Sequence, residues 1–247
     1  MKETFIILFS AHLAGDFLFQ NSRMVRDKEV SFLRLIQHAA VVGLSTLVLA
    51  AYFKTSWALL ICLWVVLAHF VIDWMKAVFG RDDATTLILD QIAHIIALIV
   101  IAYLLPHVGA NSLWLKLFPA SWFCGLTFFS GFVACVFVGG ILISKATKPL
   151  VQQIDANQLS GLKNGGRYIG QLERALTFFF MLTGQTNAVG FLFAAKSILR
   201  FGEIKEPEKR KEAEYIIIGT FMSFGWALLT AYLTIKAMAM CRRSPLG

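Results

Sequence analysis

The chain has 247 residues, of which 57% are hydrophobic and 15% charged, with a net charge of +8 and a mean hydropathy of +0.68. Soluble domains carry roughly 45–50% apolar and about 25% charged residues, so the composition excludes an ordinary soluble globule. It points to an all-α polytopic membrane protein with no large soluble module. The basic residues cluster between apolar runs, where topology and anionic lipid account for them. No nucleic-acid-binding motif accompanies them, which argues against nucleic acid as a partner. The cysteines (Cys62, Cys124, Cys135 and Cys241) form no CxxC pair, so neither a disulfide framework nor a thiolate metal site is expected.

Runs of about 20 apolar residues are long enough to cross a bilayer as helices. Such runs occur at 4–20, 35–53, 56–79, 87–105, 120–144 and 213–238, with a less regular one at 175–200. The first could pass for a signal peptide, but a secretory apolar core does not normally carry His and Asp. It is read as an uncleaved helix. Pro106, Pro119 and Pro149 are expected just beyond helix ends. The predicted organisation is one membrane domain over 1–247. Residues 1–105 form a four-helix bundle, and residues 120–247 add the C-terminal helices.

Orientation follows from Lys and Arg, which favour the cytoplasmic side. Arg23, Arg26, Lys28 and Arg34 lie in one loop and Lys76 and Arg81 near the next turn on that side. Lys145, Lys148, Lys163, Arg167 and Arg174 lie in a third stretch. The opposite ends hold only Lys2, Lys54 and Lys116. The N-terminus is therefore expected outside, and five spans alternate without conflict.

The charged loop 200–212 also belongs in the cytoplasm, which a single crossing by 175–200 would forbid. The middle of that run, Thr183-Gly-Gln-Thr-Asn187, is a poor helix centre. Two half-helices, about 175–182 and 188–200, could enter and leave on one side, since broken backbone is tolerated where it lines a cavity. The alternative is a kinked seventh span with its charged loop outside. The bundle thus has six or seven spans. Segment 150–172 is expected along the cytoplasmic interface. The run Phe178-Phe-Phe180 and Trp57, Trp114 and Trp122 are expected to face lipid or the interface.

Three His/Asp pairs interrupt the apolar runs: His12 with Asp16, His69 with Asp73, and Asp90 with His94, each spaced i, i+4. On a helix each pair shares one face. Ionisable groups at membrane depth are costly and mark function by default. With the alternation set by loop charge, these six and His38 all fall in the cytoplasmic half. The Asp-before-His order in the fourth span is what matched depth requires when a helix reverses direction. Imidazole nitrogen and carboxylate oxygen suit a divalent transition metal, zinc first, with manganese or iron as alternatives. Seven donors exceed one four-coordinate site. Either two ions bind or some carboxylates orient the histidines. The structural alternative is a satisfied hydrogen-bond network without an ion. Gln20, Gln91 and Lys76 lie near the same depth. His107, past the end of the fourth span, is read as a loop histidine. Further along, Arg174, Lys196 and Arg200 are candidates to hold an anionic substrate headgroup, or they simply snorkel. Glu173 could pair with Arg174 or Lys196.

The segments His12-Leu-Ala-Gly-Asp16-Phe-Leu-Phe-Gln20, His69-x-x-x-Asp73-x-x-Lys76 and Asp90-Gln-x-x-His94 resemble the domain-of-unknown-function 3307 family of bacterial integral membrane proteins. The resemblance covers roughly the first half of the chain. It implies a multi-pass protein of the bacterial inner membrane and no particular reaction. The C-terminal run from Gly184 to Phe201 resembles segments of longer members. More distantly, the HxxxD pairs are similar to bacterial membrane-bound metal-dependent hydrolases, although the His-Arg-Gly-x-Thr-His segment of that family has no counterpart here.

The expected function is a metal-dependent membrane hydrolase acting on a lipid-linked or amphipathic substrate from the cytoplasmic leaflet. His12, His69 and His94 would bind the metal. Asp16, Asp73 and Asp90 would be ligands or the general base, and His38 a fourth ligand or proton donor. The alternative is a divalent-cation or proton-coupled transporter or channel using the same groups. A structural partner in a larger complex is a third reading, and homo-oligomerisation is left open.

Overall fold

The computed structural model describes residues 1–20, 31–51, 55–118, 122–154, 164–200 and 210–243. Arg23, Arg26, Lys28, Lys54, Pro119, Lys163 and the loop 201–209 lie outside these residues, as do the side chains of Trp57 and Arg200. Every regular element among the described residues is helical. Among the described residues, five helical segments are long and apolar enough to cross a membrane: Phe32–Ala50, Leu60–Phe79, Ala84–Leu104, Trp122–Val151 and Arg210–Cys241. The surface is inverted relative to a water-soluble protein. Leu67, Val71 and Trp74 are about half exposed while their neighbours His69 and Asp73 are buried. Apolar side chains face outward where the surroundings are themselves apolar, and the polar ones turn inward.

The chain divides into two compact units, Met1–Val133 with Met238–Gly247, and Ala134–Ala237. The first contains α1 (Lys2–Leu13), which passes into a π-turn at Ala14–Leu18. It continues with α2 (Phe32–Ala50), α3 (Thr55–Phe79) and α4 (Ala84–Leu104), the one-turn helices α5 (His107–Ala110) and α6 (Leu113–Leu117), and α7 (Trp122–Val133). Local signals set the ends. Asp83 caps α4 by accepting from the Thr86 N–H at 2.7 Å. Ala51 closes α2 in a left-handed conformation, φ 39°. The first predicted span is a 12-residue α-helix plus a five-residue π-turn, and His107 opens a one-turn helix.

Helices α1 to α4 pack together, and their contact is apolar at one end and polar at the other. Ile7, Leu8, Val42, Ile61, Val65, Leu98 and Ile101 form the apolar part of the core. The His/Asp residues occupy the part nearer the turn between α3 and α4. Two glycines allow the close approach. A Cβ on Gly15 would lie 2.6 Å from Val42 Cγ2, and one on Gly43 would lie 2.5 Å from Val66 Cγ2. Thr4 ties α1 to the far end by donating to Pro106 O at 2.9 Å and accepting from Gly109 N at 3.1 Å. Trp114 donates to Val48 O at 2.7 Å and stacks on Trp122.

The second unit contains a π-turn at Ala134–Val138, α8 (Gly139–Val151), α9 (Gly165–Leu182), α10 (Thr186–Arg200) and most of α11 (Arg210–Arg243). The expected break in 175–200 is present, between Leu182 and Thr186. Gly184 takes φ +75°, and the Gln185 N–H returns to Phe180 O at 2.8 Å. This is the glycine-terminated ending in which a residue past the helix satisfies an orphan carbonyl. Helices α9 and α10 pack against each other.

Three expectations are corrected here. Pro149 lies inside α8, not beyond it, two residues before the helix's last residue, Val151. Helix α9 runs from Gly165 to Leu182, so the helix before the break begins at 165 and not at about 175. Phe178 is fully buried while Phe179 is 45% exposed, because adjacent residues on a helix point about 100° apart.

Candidate metal centre

Each of the four site helices delivers its donors at a similar depth. At 1.5 Å rise per residue, His38, Asp73 and Asp90 lie about 9 Å, and His69 and His94 about 15 Å, from the nearest ends of α2, α3 and α4. Asp16 sits in the π-turn, whose i→i+5 bonding is visible in Phe19 N to Ala14 O at 2.9 Å. π-Turns of this kind are frequent at functional sites. His12, His38, His69, Asp73, Asp90 and His94 are all buried.

All seven predicted donors come together. The i, i+4 partners are not the nearest ones: His12–Asp16, His69–Asp73 and His94–Asp90 are 3.8, 3.6 and 3.7 Å apart. The short contacts run between helices. His38 Nε2 lies 3.1 Å from Asp16 Oδ1 and 3.0 Å from His69 Nε2, and His69 Nε2 lies 3.2 Å from Asp16 Oδ1. Asp73 Oδ2 completes a triangle with the two nitrogens, 3.4 Å from His38 and 3.6 Å from His69. The rings of His12 and His94 stack at 4.7 Å, and His69 and His94 lie 4.4 Å apart.

The donor spacing is one that could hold a divalent metal ion. Ligands about 2.0–2.1 Å from a tetrahedral zinc stand about 3.3 Å from one another. The His38–His69–Asp73 triangle has edges of 3.0, 3.4 and 3.6 Å. If one of the two facing Nε2 atoms carries a proton, the other nitrogen and two carboxylate oxygens compete for it. If both carry one, two N–H groups point at each other across 3.0 Å. Donors from His12, Asp16, His69 and His94 form a second set within 4.8 Å of one another, and Asp73, Asp90 and His94 a third.

The surrounding hydrogen bonds choose the tautomers. His94 Nδ1 donates to Asp90 O at 2.9 Å, leaving Nε2 with its lone pair, buried and without a hydrogen-bond partner. Gln91 Nε2 donates to Asp90 Oδ2 at 3.1 Å, which turns Gln91 Oε1 toward His12 Nε2 at 3.3 Å. His12 Nε2 is then the protonated nitrogen and Nδ1 holds the lone pair. Lys76 Nζ donates to the same Asp90 oxygen at 2.8 Å and is 27% exposed, at the rim of the cluster. Sequence reasoning placed Gln91 and Lys76 at this depth but missed their common attachment to Asp90, for which the spacing holds no signal.

In the second unit, Arg174 is buried, and its guanidinium donates to Val136 O at 2.9 and 3.2 Å and to Ser223 Oγ at 3.2 Å. Trp226 Nε1 donates to Ala134 O at 2.9 Å. Both serve carbonyls of the π-turn. Lys196 Nζ pairs with Glu173 at 2.7 Å and is 23% exposed. It lines a groove with Phe193, Ser197, Ile217 and Thr220.

Comparison with curated proteins and with solved structures finds no match to this chain. Residues 4–122, which hold all seven donors, match the model of the family described as protein of unknown function, DUF3307.

Proposed function

We propose that the His/Asp cluster holds a divalent transition metal, zinc first among the candidates, and that the chain is a metal-dependent hydrolase of a bacterial inner membrane. The observation that carries this reading is the buried His38–His69–Asp73 triangle with metal-ligand edge lengths. A bound divalent ion would acidify a water toward neutral pKa and polarise a substrate oxygen. Asp16, within 3.2 Å of both nitrogens, would accept the water's proton. With His38 as a ligand, the proton taken up by Asp16 would pass to the leaving oxygen, so that one bond to the substrate forms, one breaks and the proton count balances. Lys76, at the rim, meets an anionic group. Outward-facing Trp74, Met75 and Phe79 on the same helix offer an apolar surface to a lipid tail. A lipid-linked or amphipathic substrate therefore fits, and the basic residues Arg34, Lys76 and Arg81 at this end favour entry from the cytoplasmic leaflet. In the second unit, Lys196 beside its groove is the described residue best placed to meet a headgroup.

The test is metal content by mass spectrometry on detergent-purified protein, beside His69→Ala and Asp73→Ala, followed by a hydrolase screen. One or two tightly held ions per chain, lost in the variants, are expected. Well-folded protein that takes up no metal after resupply, or hydrolysis that needs no metal and survives Asp73→Ala, would refute the reading. A transporter is the second reading, motivated by the break at Gly184, because interrupted helices are a common transporter device. Uptake of Zn²⁺ or Mn²⁺ into proteoliposomes, abolished by His69→Ala, would favour it instead.

A further inference from the structure

We infer that the ion enters and leaves the cluster past Lys76, and that the contact of this side chain with Asp90 is a gate on the route. This rests on the metal-dependent reading above and deepens it. The far end of the bundle offers no passage. It is filled by the apolar core of Ile7, Leu8, Val42, Ile61, Val65, Leu98 and Ile101. The outward faces of α3 and α4 carry Leu67, Val71, Ile92 and Ile96. A divalent ion cannot shed its water into such surroundings. Exchange therefore runs through the polar end, near the turn between α3 and α4.

At that end, two side chains bonded to Asp90 are partly exposed among the described residues, Lys76 and Gln91. Gln91 is held at both ends of its amide, to Asp90 at 3.1 Å and to His12 at 3.3 Å. Lys76 is 27% exposed and is held through its ammonium, to Asp90 Oδ2 at 2.8 Å, on a flexible four-carbon stem. Behind that contact lie Asp90 Oδ1 and His94 Nε2, both buried and without a hydrogen bond. They are the first open acceptors that an ion passing Lys76 meets.

The movable part is the side chain, because the backbone beneath it is fixed. The Gly80 N–H returns to Lys76 O at 2.8 Å, and the Arg81 N–H donates to Thr86 Oγ1 at 3.1 Å. A Cβ on Gly80 would stand 2.4 Å from Lys76 O, so the chain packs tightly at this turn. The Lys76–Asp90 bond must break before an ion passes in either direction. A gate of this kind slows uptake and release together. A side chain that merely orients Asp90 would slow release alone, since it stabilises the bound ion and not the barrier.

The experiment follows Zn²⁺ in detergent-purified full-length chain. Uptake by chelator-stripped protein is read in a stopped flow with a fluorescent indicator, and release from loaded protein into excess chelator. Lys76→Met should speed both by about tenfold or more, the factor a lost hydrogen bond to a charged group gives, with the number of ions per chain unchanged. Lys76→Arg, which keeps the charge and the reach, should stay slow. Lys76→Cys should exchange fast and turn slow again on aminoethylation, which rebuilds a lysine-like ammonium. That reversal also shows the fast variant to be folded, and wild type treated alongside controls for the native cysteines. The gain in uptake should persist at about 1 M salt, where charge is screened beyond about 3 Å. Faster release with unchanged uptake would mean that Lys76 only orients Asp90. A gain lost at high salt would mean simple repulsion, and unchanged rates in both directions would put the route elsewhere. Each of these overturns the gate and leaves the metal reading standing. Folded wild-type protein that binds no Zn²⁺ overturns the metal reading, and the gate with it.

Discussion

Gln91→Leu tests whether the groups around the donors set the metal affinity. The substitution keeps the size of the side chain and removes two hydrogen bonds, one to the Asp90 carboxylate at 3.1 Å and one from His12 Nε2 at 3.3 Å. The first involves a charge and is worth about 1.5–3 kcal/mol, the second about 0.5–1.5 kcal/mol. Lys76 still holds Asp90, so only part of that loss reaches the metal. Removing partners that orient ligands typically weakens metal binding by about 10- to 100-fold, equal to about 1.4–2.7 kcal/mol, within the range the two bonds allow. Competition against a chromophoric chelator at fixed pH measures it, with circular dichroism to confirm the helical content. Wild-type affinity in a folded Gln91→Leu protein would show that His12 and Asp90 are oriented without Gln91 and would refute the tautomer assignment.

Other outcomes follow from the packing. Gly43→Ala should cost about 1–3 kcal/mol of stability by overpacking, since the new Cβ meets Val66 Cγ2 at 2.5 Å. Adding Val66→Ala should recover part of it in a detergent melt, and no recovery would place the strain elsewhere. Arg174→Met should destabilise by about 1–3 kcal/mol, because Val136 O loses both its guanidinium donors, while metal content stays at the wild-type value; lost metal would contradict a purely structural role. Gly184→Ala should cost about 1 kcal/mol and Gly184→Asn less, since φ is +75° with open space around the Cβ; a neutral alanine would mean the turn can rearrange. Stripping the metal with a chelator should lower stability by about 2.7 kcal/mol relative to protein held at a free ion concentration 100 times its Kd. A melting temperature unmoved by chelation would argue against a tightly held ion.

Much of the site was legible because ionisable residues are rare in an apolar background. The seven donors stood out by type, and the alternation of span direction explained why Asp precedes His in the fourth helix. The break near Gly184 was equally visible, since Gly, Thr, Gln and Asn together make a poor helix centre. The i, i+4 spacing was less informative than it looked. It placed His12 with Asp16 on one face, but Asp16 makes its short contacts to His38 and His69 on other helices. The roles of Arg174 and Phe178 were hidden, because a basic residue beside an apolar run reads as interfacial until the carbonyls of a π-turn are seen to need its donors.

The sequence by itself determined the helical, membrane-type class and the residues that could hold a metal. Apolar run length and the cost of ionisable groups in such runs are local properties. Only the tertiary structure decided which donors meet, which imidazole nitrogen keeps its lone pair, and which groups hold Asp90. Those depend on distances of about 3 Å between different helices, set by close approaches such as Gly15 on Val42, and no spacing along one chain segment encodes them.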